Sequence, residues 1–599
     1  MPRSLYIPLS MVCVLLTITL SRAVQAAGSA CNAPPLSLTG TRVANVTTEP
    51  QLQSAVTNGN VAKALEFRFG TTGSEAKNNL TDAPLGARDG ATFAQSNNYL
   101  AATPAMFVNP ARADLHLLDT DATRASVIGR GVVLSAVRDD MDGNARPAGA
   151  GYTSGADELR SPPPSGGARA LRRSASGRWF YDPGLGKSLF LTGVYTAGGD
   201  YAPAQDNFWC NQNTPRGGLA IDNAFQDRFN HNYIRFWTME STASTECASN
   251  VTTPMVFARS QSCCAADGGN LFDLDTLDGS YFAKLKSTLN MLPPGRYASV
   301  MLFEGAGNQD KDFWVYSPMN PTNNINADQG TVDMSTVHKT VAEGNSAYIW
   351  GRQKAYVERL VRELSEYNNI IYEIANEDGN GSIEWQQAVA EVIRAADTAN
   401  PHLIGMSFRW LTGNNPELYS SNADWIAPIL DPSASEAGDG RKTVVFEGDH
   451  SASVNNKKPS AEEVWRLFMR GYHVSVLAYH LPLPMEPVLM SMGRAAYFAN
   501  KRFADLDAMI PQSGGDSPAS TGYCLSNTGV EYLVFQPGTG DVVVNLPVGA
   551  YHYEWHTADG DSPAAPTPVE RRAITSRGGS QTFSQPEGAN LLYIVKSDG

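Results

Sequence analysis

Cysteine is scarce and scattered: seven in 599 residues, with no Cys-x-x-Cys pair and no accompanying histidine cluster. That removes the usual spacing of a metal centre, and none is expected. Positive charge is also short. Lys and Arg number 46 against 60 Asp and Glu, for a net charge of −14. This balance argues against nucleic acid or an anionic membrane and suits a neutral partner. Long apolar runs are missing as well. The longest, Ile7 to Leu20, is short for a bilayer span, and no later segment could cross one. Arg3 precedes it and small residues from Ala23 to Ala30 follow, so residues 1–26 read as a secretory signal cut after Ala26. The mature chain is then expected to carry no transmembrane segment and to be secreted, periplasmic or at the cell surface. Removing the signal leaves Cys31, Cys210, Cys247, Cys263, Cys264 and Cys524. An even number in an exported chain permits disulfides, and Cys210, Cys247 and the Cys263/Cys264 pair are close enough for one local framework.

What is present describes a globular protein of two to four domains, 42% hydrophobic and 18% charged. The organising stretch is Asn368 to Glu377. Ile370, Ile371, Tyr372 and Ile374 make a compact apolar strand, and Tyr356, Leu360, Leu364 and Tyr367 predict an amphipathic helix leading into it. The strand ends on Asn376-Glu377, followed by the loop residues Asp378-Gly379-Asn380-Gly381. Seven more strands are predicted at 189–196, 233–237, 298–304, 402–408, 424–427, 443–447 and 474–479. Helical patterns such as 383–399 and 461–470 separate several of them. Alternating strands and helices imply a parallel sheet, and eight units imply an α/β (β/α)8 barrel over 172–510. From 511 to 599 short alternating strands punctuated by Gly, Pro and Asp predict an antiparallel β-sandwich. Residues 161–171, with Ser161-Pro162-Pro163-Pro164-Ser165-Gly166-Gly167, read as a linker. Before it, the phrases Phe107-Val108-Asn109-Pro110, Asp114-Leu115-His116-Leu117, Asp140-Met141-Asp142-Gly143 and Gly155-Ala156-Asp157-Glu158 resemble the closing turns of secreted right-handed parallel β-helix proteins. Residues 31–160 are therefore expected to form a truncated β-helix-like segment.

Three predicted strand ends carry carboxylates: Glu304, Glu377, and either Glu447 or Asp449. Cleaving a glycosidic bond needs one carboxyl group to protonate the leaving oxygen and a second to attack the sugar or activate water. Strands four and seven end on opposite sides of a barrel mouth, which suits that task.

Tyr372-Glu373-Ile374-Ala375-Asn376-Glu377 resembles the strand-four signature of the cellulase-like clan of retaining (β/α)8 glycoside hydrolases. More narrowly, His231 to Trp237, Val300 to Gly305, Asn323 to Asn326, Asp424 to Ile426, Gly448-Asp449-His450, Phe468 to Tyr472 and Ser520 to Leu525 resemble a bacterial glycoside hydrolase subgroup with a C-terminal β-sandwich. The resemblance implies that Glu377 is the acid/base and that a strand-seven carboxylate is the nucleophile. Glu447 fits the clan position, while Asp449-His450 matches an Asp-His pair of the narrower group, and both stay open. It further implies that Asn376 binds the hydroxyl beside the reacting carbon and that Arg235 pairs with the nucleophile. Glu304 and His450 are candidate substrate contacts, and Trp237 and Trp410 candidate stacking surfaces for a sugar. The implied activity is a secreted glycosidase acting on a poly- or oligosaccharide without a cofactor. The alternative is a carbohydrate-binding or adhesion protein whose barrel has lost its chemistry.

Overall fold

Ile370–Asn376 is a strand buried at every position, as its β-branched run predicts. The helix before it, Ala347–Leu364, begins earlier than the apolar spacing indicates. The Ser346 side chain accepts from the amides of Tyr348 and Ile349 and fixes its start. The computed structural model describes residues 5–8, 43–46, 65–67, 74–82, 84–87, 93–109, 114–118, 121–134, 146, 152–158, 169–196, 223, 226–245, 251–305, 311–326, 330, 332–407, 415–431, 438–447, 460–478, 486–513, 517–560 and 562–597.

Eight strands form one parallel sheet: β1 (Thr192–Thr196), β2 (Tyr233–Phe236), β3 (Tyr297–Glu304), β4 (Ile370–Asn376), β5 (Ile404–Ser407), β6 (Trp425–Ala427), β7 (Thr443–Glu447) and β8 (His473–Ala478). Their order is β1-β8-β7-β6-β5-β4-β3-β2, with all neighbours parallel. The ends of this order meet, which closes a barrel. The Asn232 amide donates to the Thr192 carbonyl at 2.9 Å, and the Thr192 amide donates to Asn232 Oδ1 at 2.9 Å. Gly193 permits that approach, because a Cβ there would lie 1.7 Å from the Tyr233 carbonyl oxygen. Helices α1 (Gly279–Asn290), α2 (Ala347–Leu364), α3 (Ile383–Ala396), α4 (Ala461–Met469) and α5 (Glu486–Tyr497) follow strands in turn. All eight predicted strands are present. The largest shift is at β1, which starts at Thr192 rather than Leu189, because Lys187–Leu189 closes a small hairpin sheet with Phe180–Asp182.

That hairpin sheet plugs one end of the barrel. Leu171, Phe180, Leu189 and Leu191 form a buried cluster with the inward residues Tyr233, Tyr297, Ile371, Trp425 and Val445. Leu171 and Ala170 are buried, and the Ala170 amide donates to Asn400 Oδ1, so the expected 161–171 linker gives way to packed chain before its end. An unanticipated hairpin, Phe257–Cys263 with Asn270–Leu277, lies between β2 and β3. It carries the adjacent Cys263 and Cys264, which the sequence groups in one local framework with Cys210 and Cys247. Those two and Cys31 lie outside the described residues, while Cys524 is a buried free thiol.

The sandwich strands are β9 (Ile510–Ser513), β10 (Tyr523–Asn527), β11 (Glu531–Phe535), β12 (Val542–Leu546), β13 (Gly549–His556), β14 (Glu570–Ser576), β15 (Gly579–Phe583) and β16 (Leu591–Lys596). An antiparallel sheet ordered β9-β10-β11-β16-β13-β14 faces the pair β12-β15. Strand alternation divides its side chains. Tyr532, Val534, Leu592 and Ile594 pack with Val542, Val544, Leu546 and Phe583. Leu533, Phe535, Leu591 and Tyr593 join the barrel cluster that includes Trp465 and Phe498. Both faces of the large sheet are thus covered, and the sandwich is fused to the barrel.

Met1–Ser161 forms a separate unit. Leu65–Phe67 pairs in parallel with Leu85–Ala87, and Ser74–Lys77 with Phe93–Ser96. The Asn79 amide and side chain both donate to Asn98 Oδ1, 19 residues on, so successive turns stack with like residues in line. Leu5–Pro8, within the predicted signal, pairs with Val43–Val46. The rest of residues 1–26 lies outside the described residues. Among those described, no helix is long and apolar enough to cross a membrane.

Two histidines in the barrel unit tie stability to acidity. His231 Nε2 faces the Leu489 carbonyl at 3.1 Å. His473 Nδ1 accepts from the Leu191 amide at 2.9 Å, among the rings of Trp179, Phe180 and Phe190. Burial lowers His231 to about 4 and His473 to about 3, because neither site solvates a cation. An unfolded histidine titrates near ~6.5. With folded values below that, their contribution is complete above pH ~6.5 and is lost as pH falls. By pH 4 each is expected to remove on the order of 3 kcal/mol. Urea midpoints measured between pH 7 and 4 should therefore fall, and His473→Asn, which keeps an acceptor but does not titrate, should flatten the decline. A variant as acid-sensitive as the parent would contradict this.

Candidate active site

Period-two alternation decides what points into the barrel. On β2, β4 and β7 the lower inward positions are Tyr233, Ile371 and Val445, part of the apolar plug. Two residues further along stand Arg235, Glu373 and Glu447. Arg235 is fully buried, as is Glu373, and Glu447 is 3% exposed. Arg235 grips Glu373 with two donors, Nε to Oε2 at 2.8 Å and Nη2 to Oε1. The same Nε lies 3.2 Å from Glu447 Oε1, and Nη2 also donates to Asn376 Oδ1 at 2.8 Å. Ser407 on β5 donates to Glu373 Oε1 at 2.7 Å. One guanidinium thus links three strands. A carboxylate buried without it would be strongly disfavoured, so the cluster stands only with its cation.

Asn376 ends β4 beside Glu304 of β3, the two being register partners. Asn376 Nδ2 donates to Glu304 Oε1 at 3.3 Å, so its amide is oriented from both sides. Glu377 follows in the left-handed region, with φ of 45°, uncommon for a residue with a side chain and characteristic of functional turns. Its carbonyl accepts from Gly379 at 2.8 Å, and its side chain is half-buried at the carboxyl end of the barrel, where catalytic groups of this architecture sit. Space is tight there. A Cβ on Gly305 would lie 2.3 Å from Asp378 Cα, and one on Gly381 would lie 1.9 Å from Asp378 Oδ2.

A second buried network adjoins the first. His338 Nδ1 lies 3.0 Å from Asp378 Oδ1, and Nε2 lies 3.1 Å from Glu240 Oε2. Burial works against a charge on this ring, but the negative charges of Glu240 and Asp378 and their hydrogen bonds prevail and raise His338 to about 10. The imidazolium stacks on Trp385, with centroids 4.2 Å apart and planes 12° apart. Glu240 Oε2 also accepts from the Glu304 amide at 2.8 Å.

Of the residues singled out from sequence, Asn376 and Glu447 meet at the Arg235 guanidinium, Glu304 joins them through the Asn376 side chain, and Glu377 follows Asn376 in the chain. Trp237 directly follows β2, but it is 4% exposed and lies under Arg235 at 5.2 Å. It packs in the core rather than offering an open face, which corrects its reading as a stacking surface. Asp449, His450 and Trp410 lie outside the described residues. Glu373, Asp378, Glu240 and His338 were not anticipated. For Glu373 a signal existed, since a charge inside an apolar strand requires a buried partner. Glu240 and His338 stand 98 residues apart, and nothing local connects them.

No family model and no curated protein matches the chain in sequence. Among solved structures, it is similar to a glycoside hydrolase family 5 protein from Bacteroides vulgatus, with 12% identity over 71% of this chain and 93% of that one and a TM-score of 0.43. A family 5 mannosidase from Rhizomucor miehei shares 13% identity over 52% and 86%, with a TM-score of 0.33. Endo-glycoceramidase II from Rhodococcus shares 11% over 69% and 98%, with a TM-score of 0.32. These comparisons give no support to the β-helix likeness expected for residues 31–160.

Proposed function

We propose that this protein is an exported glycoside hydrolase that cleaves a poly- or oligosaccharide by double displacement. The supporting observation is the Arg235 guanidinium, which touches both Glu447 and Asn376, the neighbour of Glu377. In the first step a Glu447 oxygen attacks the anomeric carbon while the glycosidic C–O bond breaks. The Glu377 proton passes to the departing oxygen. In the second step Glu377, now a carboxylate, takes a proton from water as that water's oxygen displaces Glu447, giving net retention. In this reading Arg235 favours the charged, nucleophilic form of Glu447, and Asn376 Nδ2 donates to the sugar hydroxyl beside the reacting carbon.

The test has two stages. Purified protein is first screened against polysaccharides and aryl glycosides. A 2-deoxy-2-fluoro glycoside of the accepted sugar, bearing a good leaving group, is then added, and the labelled peptide is located by mass spectrometry. The expected result is a stoichiometric adduct on Glu447. An adduct on Asp449 would transfer the nucleophile's role, and binding without turnover of any glycoside would favour the inactive carbohydrate-binding alternative.

A further inference from the structure

We propose that His338 is a positioning residue: an ionic clamp that holds the turn carrying Glu377 and thereby aims the acid/base carboxyl into the barrel mouth. The proposal rests on the function given above and concerns the same site.

The clamp grips the turn at two points. The His338 ring bonds Asp378, the residue after Glu377. The His338 carbonyl accepts from the Ser382 amide at 3.0 Å, where the Ser382 side chain caps α3. The segment between is short and glycine-rich, so its own chain supplies little stiffness. Glu377 sits in the left-handed region, which costs energy for a non-glycine residue and persists only where the surroundings enforce it. The crowding of Gly305 and Gly381 against Asp378 supplies part of that constraint, and His338 supplies the charged part.

The other end of the clamp is anchored. Glu240, in the segment after β2, holds the second ring nitrogen and also accepts from the Glu304 amide at the end of β3. The ring is fixed in plane by stacking on Trp385 and edge-on by Phe303 at 5.6 Å. With its ring 1% exposed, His338 cannot itself reach substrate, so its effect on chemistry must pass through Asp378 and Glu377. The ends of β2, β3 and β4 are thereby tied into one rigid arc on the side opposite the Glu447 strand. A general acid displaced by about 1 Å loses much of its effect, which gives such a clamp a chemical purpose beyond stability.

The test uses full-length His338→Gln, with His338→Ala beside it and circular dichroism to confirm folding. Amide hydrogen exchange reads the clamp directly, whether or not a substrate is known. Exchange across Glu377–Gly381 is expected to speed by about 10-fold or more, with β4 and β7 unchanged. Equal protection in parent and variant would overturn the proposal. The chemical readout is kcat/KM on two aryl glycosides of the sugar the parent hydrolyses, one phenyl and one 2,4-dinitrophenyl. Loss of acid aim should cost roughly 10²-fold on the phenyl glycoside, which needs a proton, and a few-fold on the dinitrophenyl glycoside, which does not. Equal losses on both would mean a merely structural role and would also overturn it. A parent inactive on every glycoside, with the exchange effect present, would instead remove the hydrolase reading and leave the clamp as a feature of the fold.

Discussion

Glu377→Ala is expected to lower kcat/KM by about 10²–10⁴-fold on substrates with poor leaving groups, the range a positioned general acid supplies. On a 2,4-dinitrophenyl glycoside the first step needs no proton, so kcat/KM should stay within a few-fold of the parent. Release of the sugar from Glu447 would still lack its base, so kcat should fall and KM should fall with it as the covalent intermediate accumulates. Added azide, which attacks without base assistance, should restore kcat and yield a glycosyl azide of retained configuration. The position makes this expectation strong. Glu377 is half-buried at a strand's carboxyl end, and its left-handed backbone is held by crowding from Gly305. Glycosidase activity unaffected by this substitution on every leaving group would remove Glu377 from the mechanism.

How far the sequence discloses this arrangement depends on the distance over which each feature is encoded. The barrel strands are legible because a strand covered on both faces must be apolar along its length, and Ile370–Asn376 and Tyr297–Glu304 are buried throughout. Glu377 is legible because strand and loop meet there. The sandwich strands β11 and β16 are legible for the same reason as the barrel strands, since both of their faces are packed and their residues are mostly apolar. Strands β14 and β15 are not, because most of their residues are exposed and polar residues there leave no periodic trace. The hairpin inserted before β3 escapes notice for the same reason, its first strand running from one buried residue through half-buried ones to exposed ones. The charged networks are the hardest to read. Arg235 and Glu373 are 138 residues apart, and only closure of the barrel brings them together. What the sequence does show is that Arg235 and Glu373 each interrupt an apolar strand, and two such interruptions of opposite sign could have been paired on that ground alone.

Arg235→Leu should have the largest effect on stability of any single change in the barrel, because it leaves Glu373 and Glu447 buried without their shared cation. Removing one partner of a buried pair typically costs about 3–5 kcal/mol, and here two carboxylates are stranded. The variant has an escape: a buried, unpaired carboxyl group takes up a proton. Its folded pKa then lies above the unfolded value near ~4.3. For a group raised in the folded state, stability is complete below the unfolded pKa and is lost as pH rises through the folded one. The deficit in urea midpoint should therefore be greatest at pH 7 and above and should shrink toward pH 5, the reverse of the trend set by His231 and His473. Adding Glu373→Gln should recover much of the lost stability, because the closest stranded charge is gone and the Ser407 hydroxyl still has an acceptor. Activity should not return with it. Glu447 would remain without the positive charge that keeps it ionised, so the double variant would be folded and catalytically poor. If the double variant instead recovered turnover together with stability, Arg235 would be a structural counter-ion to Glu373 alone, and its 3.2 Å approach to Glu447 would have no part in the chemistry.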